Sequence, residues 1–551
     1  MQNATKILYL VRMKSTNRTT SDIRAAGRQI RAAFIELGRA SYRGVAERIG
    51  RSKSCLHRHE QARRRRNQYA ESALWETPAG EAWLQTLFFA TLYVFGLQGH
   101  VGADRLEEFF RLLRLETHIG ISATTLRRRL NQMEALLPQF QAQCEQQAGD
   151  STRPGVVAAD ETFQGKLLIL VLMELRSGYL VLEDMADDRK FDTWQAVIEP
   201  RLKTLGLKVE HAVTDRARAL IKLAKTGFKC GSGADLFHAQ YDCSSWLGAK
   251  LARLQKKAAT GLQQALAARQ QASPATDTET LVALVDAERA HKAIQATGTE
   301  YHEQLAGIAQ DVHPFSLDES QPKTAADVSS ALETRAKAFE VIAKSAGITD
   351  WKGTLNKFRG QFDALALHVT FWWQFVLHSL AEAGCDPAMR DWLTCRLLPV
   401  VYWHEQMQKT KNRRQREVYR RAWQQAVAAL NSDEQTANGC STDLERWVTW
   451  AERMARNFHR SSSAVEGRNG YLSQMYHNGR GLTASRLRAL TVIQNYGVRR
   501  ADGTTAARRL FDREFPDLFS WLVDQMGELP LPRQRKKSAV RNPLGLAAVP
   551  S

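Results

Sequence analysis

The sequence predicts a mixed α/β core combined with a larger all-helical part, and three observations predict it. Short β-branched runs broken by tight-turn residues follow Pro154. Leu, Ala and Trp at three- and four-residue spacing then run from about Trp246 to Arg456, and the first 70 residues read as basic helices. A chain of 551 residues is too long for one core, so several units of roughly 100 to 200 residues are expected.

The first element, residues 1–70, holds 17 Lys and Arg against four acids, much of the whole chain's formal charge of +19. Such an excess favours a polyanionic partner, with nucleic acid first among them. Within it, Ser41 to Arg58 has the pattern of a helix-turn-helix. Val45, Ile49 and Leu56 face inward, Gly50 supplies the turn, and Ser52 caps a second helix that presents Lys53, Ser54, His57 and Arg58 outward. Cys55, His57 and His59 lack a second ligand pair at zinc-finger spacing, so a helical surface is the better reading there.

Residues 71–150 form a second helical region. Its most apolar stretch, Trp83 to Leu97, is shorter than the roughly 20 residues that span a bilayer and reads as a buried helix. Gly120-Ile121-Ser122 separates Leu106–Leu115 from a helix carrying Arg127 and Arg128, which can contact DNA or simply face solvent.

Residues 151–245 change period. Val156–Phe163, Lys166–Leu175 and Tyr179–Met185 read as strands joined at Gln164-Gly165 and Ser177-Gly178. Phe191–Leu205 reads as a helix, Val209–Thr214 as a strand, Arg216–Lys225 as a helix and Ala234–His238 as a short strand. The order βββαβαβ matches an RNase H-like mixed sheet, with the first and fourth strands side by side. Residues 246–456 form an all-helical insertion, in which Trp372, Trp373 and Trp403 read as core. Residues 457–525 return to the core, and 526–551 form a basic flexible tail with Arg533, Arg535, Lys536, Lys537 and Arg541.

Seven scattered cysteines without a CxxC pair fit a reducing cytoplasm, and no membrane segment is expected.

The chemistry lies in acids at strand ends. Asp160 falls in the first strand and Asp215 at the carboxyl end of the fourth, where ligands of open α/β sheets collect. Glu161 points to the opposite face by strand alternation. Close carboxylates repel unless cations neutralise them, which two Mg²⁺ ions roughly 3.5 to 4 Å apart can do. A third carboxylate, Glu466, lies in Ser461-Ser-Ser-Ala-Val-Glu-Gly-Arg-Asn-Gly, on a helix the serines can cap; Val465, Leu472 and Tyr476 face the core, and Glu466, Asn469 and Ser473 share a polar side. Gly467 and Gly470 each cost this helix about 1 kcal/mol, so a close approach by another backbone, DNA or a packed helix is expected there. Asp235 rivals Asp215 as the second carboxylate, and Asp235 or His238 can border the site; a lone histidine is more often a hydrogen-bonded structural residue. Asp187 and Asp188 read as caps. Arg468, His477 and Arg480 follow Glu466 on the side expected to face DNA phosphates.

The blocks Ala159-Asp160-Glu-Thr-Phe, Thr214-Asp215-Arg, Asp235-Leu-Phe-His238 and Ser461 to Gly470 resemble bacterial insertion-sequence transposases of the DDE type, as do Leu472-Ser-Gln-Met-Tyr-His-Asn-Gly-Arg-Gly-Leu482 and Asp502 to Phe511. The resemblance covers about residues 150 to 515. It implies Asp160, Asp215 and Glu466 as catalytic metal ligands, Mg²⁺ or Mn²⁺ as two bound ions, terminal inverted repeats and target DNA as substrates, and a homodimer or higher oligomer on DNA. It places the protein in a bacterial cytoplasm, associated with the nucleoid. Several transposases of this type carry a helical insertion before the last acid, as this chain does. The Tyr, Arg and Lys that surround the final Glu in one such group have no match, since His459, Ser462 and Ser473 occupy those spacings. Two other readings use the same residues: an inactive or domesticated transposase that only binds DNA, and a structure-specific nuclease of the same fold.

Overall fold

A computed structural model of the chain describes residues 20–38, 41–149, 151–273, 276–433, 443–478 and 481–532. The expectations placed on Arg480, Cys440 and the basic run from Arg533 to Arg541 fall outside the described residues. The chain divides into two compact units. One comprises Met1–Gln147, Leu472–Arg508 and Asp512–Ser551, and the other Ala148–Tyr471 with Arg509–Phe511. The segment 457–525, expected to return whole to the sheet, is thus shared: most of it past Tyr471 counts with the amino-terminal helices.

In the first unit, helices Thr20–Glu36, Tyr42–Ile49 and Lys53–Arg66 enclose a small core of Ile30, Ala33, Val45 and Leu56. Each short helix starts where a serine hydroxyl replaces a missing backbone partner: Ser41 Oγ accepts from Gly44 N, and Ser52 Oγ from Cys55 N. Gly50 ends the first of them at φ 64°, a conformation that costs a side chain energy. Lys53, Ser54, His57 and Arg58 are exposed.

The apolar run from Trp83 is amphipathic. Leu84, Phe88, Phe89, Leu92 and Leu97 are buried, whereas Trp83, Val94 and Phe95 are exposed. Among the described residues no helix is long and apolar enough to cross a membrane. Helix Ala123–Gln147 carries three consecutive arginines with different tasks. Arg127 pairs with Asp104, Arg128 is exposed, and Arg129 donates to the carbonyls of Met526 and Glu528. The start of the expected flexible tail is packed instead: Leu529 is buried and Pro530 O accepts from Gly120 N.

The second unit is built on a five-stranded mixed sheet of order β3-β2-β1-β4-β5, with β1 Arg153–Gln164, β2 Leu167–Glu174, β3 Tyr179–Ala186, β4 Leu207–Thr214 and β5 Gly231–Ala234. The first three strands are antiparallel; β4 and β5 run parallel to β1. Gly165 and Gly178 make the two turns at positive φ. The run Val156 to Ala159 is buried throughout because β1 is central and covered on both faces, which is why its sequence does not alternate. One expected element differs. Ala234–His238 is not a strand: β5 stops at Ala234, and Asp235 caps a helix, Leu236–Cys243, by accepting from Phe237 N.

The helical part of this unit runs from Ala249–Gln270 and Asp277–Asp311 through to Leu444–Arg456. Trp372 and Trp403 are fully buried in its core and Trp373 donates to Lys323 O, so these rings serve packing.

Candidate metal centre

The register of the parallel strands brings the acids together. The last β1–β4 pair is Ala159 with Thr214, and the last β4–β5 pair is Thr214 with Ala234. The next residues are Asp160 in β1 and, just past the ends of β4 and β5, Asp215 and Asp235, so the three stand at the same end of neighbouring strands. Glu161 lies opposite, where its carboxylate accepts from Trp194 Nε1 at 3.3 Å.

The three aspartates do different things. Ligand atoms of Asp160, Asp215 and His238 lie within 4.8 Å of one another. Asp215 sits on a turn in which Oδ1 accepts from Ala217 N and Arg216 takes φ 71°, a strained conformation for a side-chain-bearing residue. Asp235 turns inward. Its fully buried carboxylate accepts from His238 Nδ1 at 2.5 Å, from Ser462 N at 3.1 Å and from Ser462 Oγ at 2.8 Å. It therefore ties the His238 helix to the start of the helix bearing Glu466.

That helix is Ser463–Asn478, with Glu466 in its first turn. The Ser462 hydroxyl, expected to cap it, donates to Asp235 instead. One turn beyond Glu466, Asn469 Nδ2 donates to Asp160 Oδ2 at 2.8 Å. Arg468 corrects an expectation. Read as a phosphate contact, it is buried in a two-fold ion pair with Glu183 of β3, at 2.7 and 2.6 Å. The pair with β3 takes the guanidinium out of solvent, with the residue only 6% exposed. Gly467 and Gly470 likewise do not serve helix packing, because a Cβ at either would meet nothing within 4 Å. His477 is exposed. Asp188 accepts from Lys190 N and Thr193 Oγ1 just before helix Phe191–Leu205, but the N-cap position is Lys190 and carries no side-chain cap, so Asp187 and Asp188 are not the caps expected of them.

Electrostatics follow from this geometry. Burial pushes the Asp160 carboxyl up to about 7, and the charge of Glu466 adds to the effect. Asp235 is held below the usual range, because its hydrogen bonds from His238 and Ser462 outweigh burial. The hydrogen bond to Asp235 raises His238 to about 9 against the opposing effect of burial, with Asp235, Asp160 and Asp215 contributing by charge. Positive charge is favoured at this spot.

Two observations fit a cation. Oxygen and nitrogen donors converge, and Asn469 Oδ1, in a residue only 9% exposed, has no hydrogen-bond partner beside them. Asn469 was legible only as a polar neighbour of Glu466, and Ser462 only as a cap for its helix. Nothing in the sequence marks Glu183, since its partner lies 285 residues away.

Residues 393–538 match the model of DUF6399, a family of unknown function. The match includes the Glu466 helix but none of Asp160, Asp215 and Asp235, all of which lie upstream of it. No curated protein matches the chain.

Proposed function

We propose that this chain is a divalent-metal-dependent DNA-processing enzyme, a DDE transposase with an RNase H-like core that cuts element ends and joins them to target DNA. The observation that carries the proposal is the meeting of Asp160, Asp215 and His238 within 4.8 Å, at a place where the charge of Glu466 is felt by Asp160. A strand order of 3-2-1-4-5 with β1 beside β4 supports the core assignment. The exposed Lys53, His57 and Arg58 on a capped second helix support the reading of a DNA-binding helix-turn-helix, with Arg128 as a further candidate contact.

Asp160, Asp215 and Glu466 would hold Mg²⁺ or Mn²⁺. Such ions polarise a phosphodiester, activate water or a 3′-hydroxyl, and stabilise the leaving oxygen. The protein's own part is positional. Asn469 holds one oxygen of Asp160, the Asp215 turn fixes its carboxylate, and the Arg468–Glu183 pair anchors the helix that presents Glu466. Double-stranded DNA is the partner, and a homodimer or larger assembly would hold two ends.

The test is cleavage and joining of DNA carrying the inverted repeats that flank the gene, with Mg²⁺ or Mn²⁺ and with chelator. Asp160→Asn, Asp215→Asn and Glu466→Gln should each lose both reactions, and chelation should do the same to the unaltered protein. Full activity in any variant removes that residue from the centre. Cleavage without joining assigns a nuclease of the same fold, and DNA binding without either reaction assigns a binding protein.

A further inference from the structure

We propose that His238 is itself a metal ligand, so that this centre takes Mn²⁺ or a later first-row divalent ion more tightly than Mg²⁺. The inference rests on the metal centre of the reading above, but not on the reaction assigned to it.

The orientation of the ring carries the argument. Nδ1 is engaged at 2.5 Å by Oδ2 of Asp235, the residue that caps the His238 helix. This leaves Nε2 as the nitrogen available to the group formed with Asp160 and Asp215. A histidine whose second nitrogen is held by a carboxylate is the usual arrangement of a metal-bound imidazole, because the carboxylate fixes the tautomer and raises the ring's basicity.

The support behind the ring is rigid. Asp235 is 1% exposed and anchored a second time through Ser462, Leu236 N donates to Arg460 O at 3.0 Å, and Ala239, next to His238, is fully buried. An isolated surface ion pair would have none of these constraints. The unpartnered Asn469 Oδ1 is an independent sign that something binds here, since this residue is more than nine-tenths buried and its amide nitrogen already lies on Asp160.

The donor set then decides the ion. Mg²⁺ prefers oxygen ligands and keeps much of its water, whereas an imidazole nitrogen favours ions later in the first transition row.

The experiment uses the full chain, stripped of metal and loaded with Mn²⁺. Pulsed electron paramagnetic resonance should show coupling of the ion to a ¹⁴N nucleus. The coupling should vanish in His238→Ala and in the size-conserving His238→Gln. Calorimetry should give Mn²⁺ at least about tenfold tighter than Mg²⁺, with a roughly 10- to 100-fold loss of Mn²⁺ affinity in Asp235→Asn. Bound Mn²⁺ without ¹⁴N coupling in the unaltered protein, or coupling that survives in His238→Gln, overturns the proposal and leaves a carboxylate metal centre standing. Failure of the unaltered protein to bind Mn²⁺ or Mg²⁺ at all overturns both this inference and the metal-dependent reading. Because the decisive spectrum is that of the unaltered chain, a variant that misfolds does not protect the proposal.

Discussion

Glu183→Gln removes one charge from a pair whose side chains are 0% and 5% exposed and which share two hydrogen bonds, at 2.7 and 2.6 Å. The guanidinium of Arg468 is then left buried with no counter-charge, a change that costs about 3–5 kcal/mol. The unit that contains the pair has roughly 330 residues. At about 2.1 cal/mol/K of unfolding entropy per residue, each kcal/mol lowers its Tm by roughly 1.5 °C, so the expected fall is about 4–7 °C. Scanning calorimetry of the full chain reads this directly. Replacing both partners, Glu183→Leu with Arg468→Met, should recover most of the loss, because neither charge is then stranded. A single variant that melts within about 1 °C of the unaltered protein would refute the reasoning and place the pair in water.

Three further outcomes are expected. Gly467→Ala should stabilise the Glu466 helix by up to about 1 kcal/mol, since the added methyl meets nothing and gains helix propensity; if DNA must approach this surface, the same variant should lose DNA cleavage while its Tm rises, and unchanged cleavage would dismiss that approach. Leu56→Ala should destabilise the amino-terminal three-helix core by about 2–5 kcal/mol, seen as earlier local unfolding by hydrogen exchange of residues 42–66, because Leu56 is fully buried in a core of few side chains. Lys53→Ala and Arg58→Ala should each lower the slope of log affinity against log salt for duplex DNA by about one, and an unaltered slope would remove that residue from phosphate contact.

Local rules carried much of the fold. The Phe191–Leu205 helix, the turns at Gly165 and Gly178, the Ser52 cap and the inward Val45 and Leu56 are all set by near neighbours, so period and turn chemistry sufficed. The misread segment, Ala234 to His238, failed for the same kind of reason. Its apolar residues suit a strand or a buried helix equally, and the deciding feature was the Asp235 side chain bonding to its own backbone two residues on.

Acids at strand ends and in a Gly-interrupted helix are conspicuous, so by itself the sequence determined the mixed α/β and helical class, the basic amino terminus, and Asp160, Asp215 and Glu466 as candidates. Only the tertiary structure decided how the neighbours divide the work. It set Asp235 to hold His238 and Ser462, brought Asn469 onto Asp160, and turned Arg468 from a surface cation into half of a buried pair. The physical reason is sequence separation. These contacts join residues 227 to 309 positions apart, apart from the local Asp235–His238 bond, and their energies depend on burial and register that no local pattern encodes.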